Sequence, residues 1–184
     1  SLINSHKICG ENSVVGPAFY DHHRNYIYNI NDNFFTNLYK LIICGAPYGI
    51  KKSGKVTSLT LAYGVETNTK DKLKKTDWLP GGCTLCSKKI ALINFKRYPF
   101  KGKAYCEDIY YSILRKNRKI QHYVNLKAKV MTQRSINSSN LDEFFNEIKI
   151  RKFLLNLTKG NKYLFFNWVS FEFLNRFFLK KLIS

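Results

Sequence analysis

Apolar and polar positions alternate in several rhythms along this chain, and each rhythm predicts a different element. The dense run Val14-Val15-Gly16-Pro17-Ala18-Phe19-Tyr20 predicts a buried strand over 12–20. Pro17 has no amide to donate, which predicts that this strand lies at a sheet edge or leaves the sheet there. Asp21-His22-His23-Arg24 reads as a solvated turn, since adjacent histidines point apart on regular structure. Phe34, Phe35, Leu38, Leu41 and Ile42 recur at helical spacing, with Asp32 or Asn33 as cap and Gly45-Ala46-Pro47 as stop. Residues 56–65 alternate weakly and predict a strand, whereas 66–75 read as polar linker.

Further along, Trp78 to Cys86 predicts a strand and Ser87 to Phe95 a short helix. A basic loop follows over 96–103. Glu107 to Asn117 predicts a helix with Ile109, Ile113 and Leu114 on its inner face and Arg115, Lys116 and Arg118 at its C-terminal end. Ile120–Val124 and Lys127–Met131 predict two short extended segments. Composition then shifts. Leu141, Phe144, Phe145, Ile148, Lys152 and Leu155 mark an amphipathic helix entered through Asn140 and Asp142 and stopped near Gly160. From Tyr163 to Leu179 the chain is intensely aromatic. Asn167, Glu172, Asn175 and Arg176 interrupt that run, and charges are costly in hydrocarbon, so it predicts a helix on a membrane surface or against the rest of the protein.

Composition narrows the class. The 184 residues suffice for one domain with a real core, and 45% are hydrophobic, which excludes a disordered chain. Lys and Arg number 31 against 12 acids, for a net charge of +19, which points to a partner carrying phosphates. The five cysteines form no framework-like spacing, and a reducing cytoplasm fits them. Cys83-x-x-Cys86 lacks the second pair that a zinc site needs. Lys51-Lys52-Ser53-Gly54-Lys55 is a basic turn, because its glycine spacing and Lys-Ser order do not make a phosphate loop.

The chemistry concentrates between Thr76 and Val130. Pro80-Gly81-Gly82 lets backbone approach a ligand closely, and Glu107-Asp108 projects two acids from the first turn of a helix. Taken singly, each has a plainer explanation. Acids in a first turn offset the helix dipole by about 0.3–1 kcal/mol each, Trp78 suits a core, and Pro-Gly-Gly suits a turn.

The ordered set W-L-P-G-G-C, then E-D-x-x-x-S about twenty-five residues on, then Lys119-Ile120 and Ala128-Lys129-Val130, resembles the second half of family 2 glycosyltransferases. Val15-Gly16-Pro17 matches the V-G-P strand that precedes their acceptor-binding half. The resemblance spans residues 12 to 130 and is sharpest from Trp78 onwards. It implies an α/β fold: the C-terminal, acceptor-side half of a GT-A mixed sheet with flanking helices over 1–135, followed by C-terminal aromatic helices over 136–184. It implies that Trp78, Gly81, Gly82 and Cys83 line the pocket where donor sugar meets acceptor. Asp108 is the expected catalytic base, with Glu107 as its neighbour or alternate.

One base suffices for inverting transfer from a nucleotide-sugar, because the diphosphate leaving group needs no protein acid to protonate it. A divalent metal, Mg or Mn, is implied for the intact enzyme, with no ligand assignable within this chain. The acidic Asp-x-Asp that holds metal and diphosphate in the family is absent, and Met131-Thr132-Gln133 stand where many relatives carry a His. The expectation is therefore a chain whose nucleotide-binding half precedes Ser1. Cys106 stands before the acids where Gly is common. The dipole of the helix would lower the Asp108 pKa while Glu107 would raise it, and sequence does not rank the two.

The resemblance implies a glycan or lipid-linked acceptor, as in cell-envelope polysaccharide synthesis, and a peripheral place at the cytoplasmic face of the membrane. Lys101, Lys103 and Arg115 would favour a diphosphate or anionic lipid. Two other classes compete: a basic nucleic-acid-binding module, and an inactive remnant with an interaction role. Interleaved Tyr, Phe and Lys support the first. The lack of a helix-turn-helix, RNP strand or zinc-finger spacing argues against nucleic acid.

Overall fold

The computed structural model describes residues 1–28, 34, 38, 41–42, 45, 53–92, 98–100, 106–132 and 140–179. Among them, helix α1 (Leu2–Cys9) leads into strand β1 (Ser13–Tyr20); β2 (Leu73–Thr76) and β3 (Leu85–Cys86) follow, then the short helix α2 (Lys88–Ala91). Helix α3 (Glu107–Lys116), strand β4 (Gln121–Met131), and helices α4 (Leu141–Leu157) and α5 (Lys162–Leu174) complete the order, with a π-helical turn at Asn175–Leu179. The fold is mixed α/β. Its four strands lie in the order β2-β4-β1-β3, with β1 parallel to β4 and both outer strands antiparallel to their neighbours.

Several sequence expectations change here. β1 is an inner strand, not an edge, because β3 pairs with Val14 and Val15 on one side while β4 runs along the other. Pro17 is accommodated where β3 has already ended and where the β1–β4 register slips between Pro17 and Ala18. Across that slip Pro17 pairs with Asn125 and Ala18 with Lys129, so Leu126–Ala128 bulge out. The Asn125 carboxamide oxygen accepts from the Lys127 and Ala128 amides, which holds the bulge, and its NH₂ donates to Ser5 Oγ on α1 at 2.7 Å. The two expected extended segments are thus one strand interrupted by a bulge. α1 itself had no counterpart in the sequence reading; Ser1 caps it and Gly10 ends it at positive φ.

Residues 56–65 do not form a strand. Thr57 Oγ1 accepts from the Leu59 and Leu61 amides and diverts the backbone into a tight loop closed by the Val56–Ala62 bridge. Conversely, Leu73–Thr76, whose first three residues read as linker, is the edge strand beside β4, and its lysines suit an edge. Trp78–Thr84 is a corner and only Leu85–Cys86 is strand. The expected helix from Ser87 is described only at Lys88–Ala91, with Leu92 after it. Phe34, Leu38, Leu41 and Ile42 are helical, yet all four are exposed. Asp32, Asn33, Phe35, Lys101 and Lys103 lie outside the described residues.

Three apolar clusters make the core. Val14 and Ala18 of β1 meet Leu79, Ile90, Ile120 and Val124. Trp78, Ile109 and Tyr110 pack against Ile150 and Leu154 of α4. Leu59 and Tyr63 pack against Leu155, Phe165 and Trp168 of α4 and α5. Side chains from both sides of residue 135 therefore share two of the three clusters. α4 accordingly buries Ile150, Leu154 and Leu155 in these clusters and Phe144 against Phe173 and Phe177, while Leu141 and Phe145 stay exposed. The helix answers to neighbours on several sides, not to one stripe.

A partly buried ion network ties this end together. Glu147 receives Arg151 Nε at 2.9 Å and Arg176 Nη1 at 3.0 Å, and Arg176 also donates to Glu172. Arg151 further donates to the Thr60 carbonyl at 2.9 Å and lies over the Trp168 ring. Burial alone would raise the Glu147 carboxyl, but the two guanidinium groups hold it below its ordinary value.

Candidate active-site cleft

A cleft of about 510 Å³ opens between the corner that follows Trp78 and the start of α3. Pro80, Gly81, Gly82 and Thr84 form one wall; Glu107, Asp108, Tyr111 and Arg115 form the other. The spacing of those four residues explains the second wall, because positions 107, 108, 111 and 115 recur at three to four residues and share one helix face. Its size falls within the range of small-ligand sites, roughly 300–1,000 Å³.

The glycines are needed for different reasons. Gly82 sits at φ +94°, a conformation that a side chain strains, and a Cβ at Gly81 or Gly82 would meet open space. Backbone is consequently presented directly to the cleft. Gly16 of β1 serves close approach: a Cβ there would stand 3.0 Å from Leu79 Cδ2 and 3.6 Å from the Cys83 carbonyl. The V-G-P strand thus packs against the corner.

Ser112, the serine of E-D-x-x-x-S, is fully buried and its Oγ accepts from the Leu79 amide at 3.3 Å. It fastens the helix that carries the acids to the corner that carries the glycines. The motif contains this serine without assigning it a role; its place one turn after Asp108, on the helix's inner side, is the signal for it. Lys116 pairs with Asp77 at 2.9 Å and closes the same junction from outside.

Asp108 is partly buried, and its Oδ1 accepts from the Ile109 amide at 2.8 Å. Burial pushes its carboxyl above the ordinary carboxylate range, outweighing the Ile109 amide and the Arg151 guanidinium, which pull it down; Glu107 adds to the rise. Desolvation, which the sequence does not display, decides the sign. Arg115, two turns along α3 and about 10 Å from Asp108 by helical rise, is buried, and burial depresses its guanidinium pKa. One end of the cleft therefore holds a desolvated carboxyl and the other a guanidinium.

Of the residues expected at the pocket, the structure brings together Gly81, Gly82, Glu107 and Asp108. Trp78 lies behind the wall: it is buried, its indole N–H donates to the Tyr63 carbonyl at 2.8 Å, and the Tyr28 ring meets it edge-on. Cys83 is partly buried with its carbonyl turned toward Gly16. Cys106, before the acids, adopts φ 55°, ψ 20°, the left-handed conformation that glycine takes without strain. Among the described residues no group of three or more His, Cys, Asp or Glu is placed to hold a metal ion. No helix among them is long and apolar enough to cross a membrane. No protein-family model, curated protein or solved structure matches the chain.

Proposed function

We propose that this chain is the acceptor-side half of an inverting family 2-like glycosyltransferase of the GT-A type, completed by a nucleotide-binding half. The intact enzyme would move a sugar from a nucleotide-sugar to a glycan or lipid-linked acceptor at the cytoplasmic face of a membrane. The observation that supports this most is the meeting of three motif pieces at one cleft. Gly16 backs the corner, Gly81 and Gly82 line it, and Ser112 ties it to the helix bearing Asp108.

In this reading Asp108 takes the proton of the acceptor hydroxyl as its oxygen bonds to the anomeric carbon. The bond from that carbon to the diphosphate oxygen breaks, and the nucleoside diphosphate leaves with the electron pair. The raised Asp108 pKa makes its carboxylate a stronger base for that transfer. Arg115 is placed to hold an anionic group at the far end of the cleft.

The test is sugar transfer by the protein extended through its preceding coding segment, with wild-type Asp108 and with Asp108→Asn. We expect transfer to fall by at least about 100-fold, in the range of lost general-base catalysis, with nucleotide-sugar binding retained. Transfer near the wild-type rate would remove Asp108 from the mechanism. Steeply salt-dependent binding of single-stranded nucleic acid, without nucleotide-sugar binding, would favour the nucleic-acid reading instead.

A further inference from the structure

The α4–α5 hairpin presents a surface unlike the rest of the molecule. Between the two helices runs a groove of about 470 Å³. Ile148, Leu155, Phe165 and Val169 give it an apolar lining, and Lys152 and Lys162 stand at its sides. Beside it two aromatic side chains project into solvent: Phe166 is 70% exposed and Tyr163 86%. These are large apolar groups on an outward face, and burial in the core claims neither.

Charge decides what fits there. From Lys149 to Leu174 the only acid is Glu172, and Arg176 already holds it; Glu147, just before, is held by Arg151 and Arg176. Lys149, Lys152, Lys159 and Lys162 are all exposed. The internal ion network therefore takes up Glu147 and Glu172, the hairpin's other acids, Asp142 and Glu143, sit in the first turn of α4, and the face from Lys149 onward is basic and aromatic. A surface of that kind combines the two attractions needed for stable interfacial attachment, inserted apolar side chains and lysines against anionic headgroups. No helix among the described residues is long and apolar enough to cross a membrane.

We propose that the α4–α5 face docks on an anionic phospholipid bilayer, with Phe166 and Tyr163 inserting at the headgroup boundary and Lys152 and Lys162 contacting phosphates. This deepens the glycosyltransferase reading by assigning its membrane contact to a named surface, but it does not require the cleft chemistry.

The experiment is co-sedimentation of the purified full chain with vesicles of phosphatidylcholine alone and of phosphatidylcholine mixed with phosphatidylglycerol. Phe166→Ser and the double variant Lys152→Glu, Lys162→Glu are compared with wild type, and thermal melting confirms that each folds. We expect binding to the mixed vesicles only, weakened at least about tenfold by the double lysine variant and severalfold by Phe166→Ser. Asp108→Asn should bind vesicles as wild type does, which separates failure of this proposal from failure of the catalytic one. No binding to mixed vesicles, or binding unchanged in both surface variants, would overturn the docking surface. So would loss with the lysines but not with Phe166, which is the signature of generic polyanion attraction. Concentration-dependent dimerisation abolished by Phe166→Ser would assign the face to a second copy of the chain and overturn it as well.

Discussion

His122 offers the sharpest test of the packing between sheet and α3. It lies in β4, is 2% exposed, and its Nε2 has no hydrogen-bond partner among the described residues. Burial lowers its pKa from 6.5 to about 4, and the charges of Arg115 and Lys116 add to the fall while Asp77 opposes it. In the unfolded chain the imidazole titrates near its ordinary value. Between pH 6.5 and 4 the unfolded state therefore binds more protons than the folded state, and stability drops as pH falls. The slope for one such group is about 1.4 kcal/mol per pH unit, or about 3 kcal/mol over that window. The contribution is complete above pH 6.5. His122→Gln removes the titration while keeping a polar side chain of similar length. Urea unfolding of both proteins at pH 7, 6, 5 and 4 isolates the contribution of His122, because the other titrating groups cancel in the difference. We expect the wild-type curve to fall toward, or cross, that of the variant as pH drops. Parallel curves across the whole window would refute the reasoning.

Three further perturbations probe the site and its support. Ser112→Ala leaves the buried Leu79 amide without its acceptor and should cost about 1–2 kcal/mol in urea unfolding; a change within error would show that the corner is held without this bond. Cys106→Gly should be neutral to stabilising by up to about 1 kcal/mol in thermal unfolding, whereas Cys106→Val, β-branched at positive φ, should destabilise by more than about 1 kcal/mol. Glu147→Ala leaves Arg151 to the Thr60 carbonyl and Arg176 to Glu172, removes two charge-assisted hydrogen bonds, and should cost about 1.5–3 kcal/mol by denaturant titration. A loss under about 1 kcal/mol would mean that water reaches the two guanidinium groups.

What was legible in the sequence is the elements whose signal is local. The acids, Arg115 and Lys116 mark both ends of α3, and Asn140 caps α4 by accepting from the Asp142 amide. The strand at 13–20 announced itself as a continuous apolar run. What failed depended on partners distant in the chain. Leu73–Thr76 carries no alternation that distinguishes it from a linker, and only pairing to Asn125–His122 makes it a strand. Val56 to Val65 has strand-like residues, but the Thr57 hydroxyl captures its amides first. In the cleft, motif order brought out Gly81, Gly82, Glu107 and Asp108. It could not reveal that Trp78 turns inward to Tyr63, because a bulky indole beside a glycine corner can point either way. The sign of the Asp108 shift was equally out of reach, since desolvation depends on which side chains close over the helix start.

The clusters shared across residue 135 make the C-terminal helices a structural buttress for α3. Ile150 and Leu154 press on Ile109 and Tyr110, the residues immediately after Asp108. A chain shortened after Met131 would expose that face of α3 to water and release the end of the helix on which the carboxylate sits. The last fifty residues or so therefore cannot be trimmed as a removable tether, because they carry part of the packing that holds α3 against the corner.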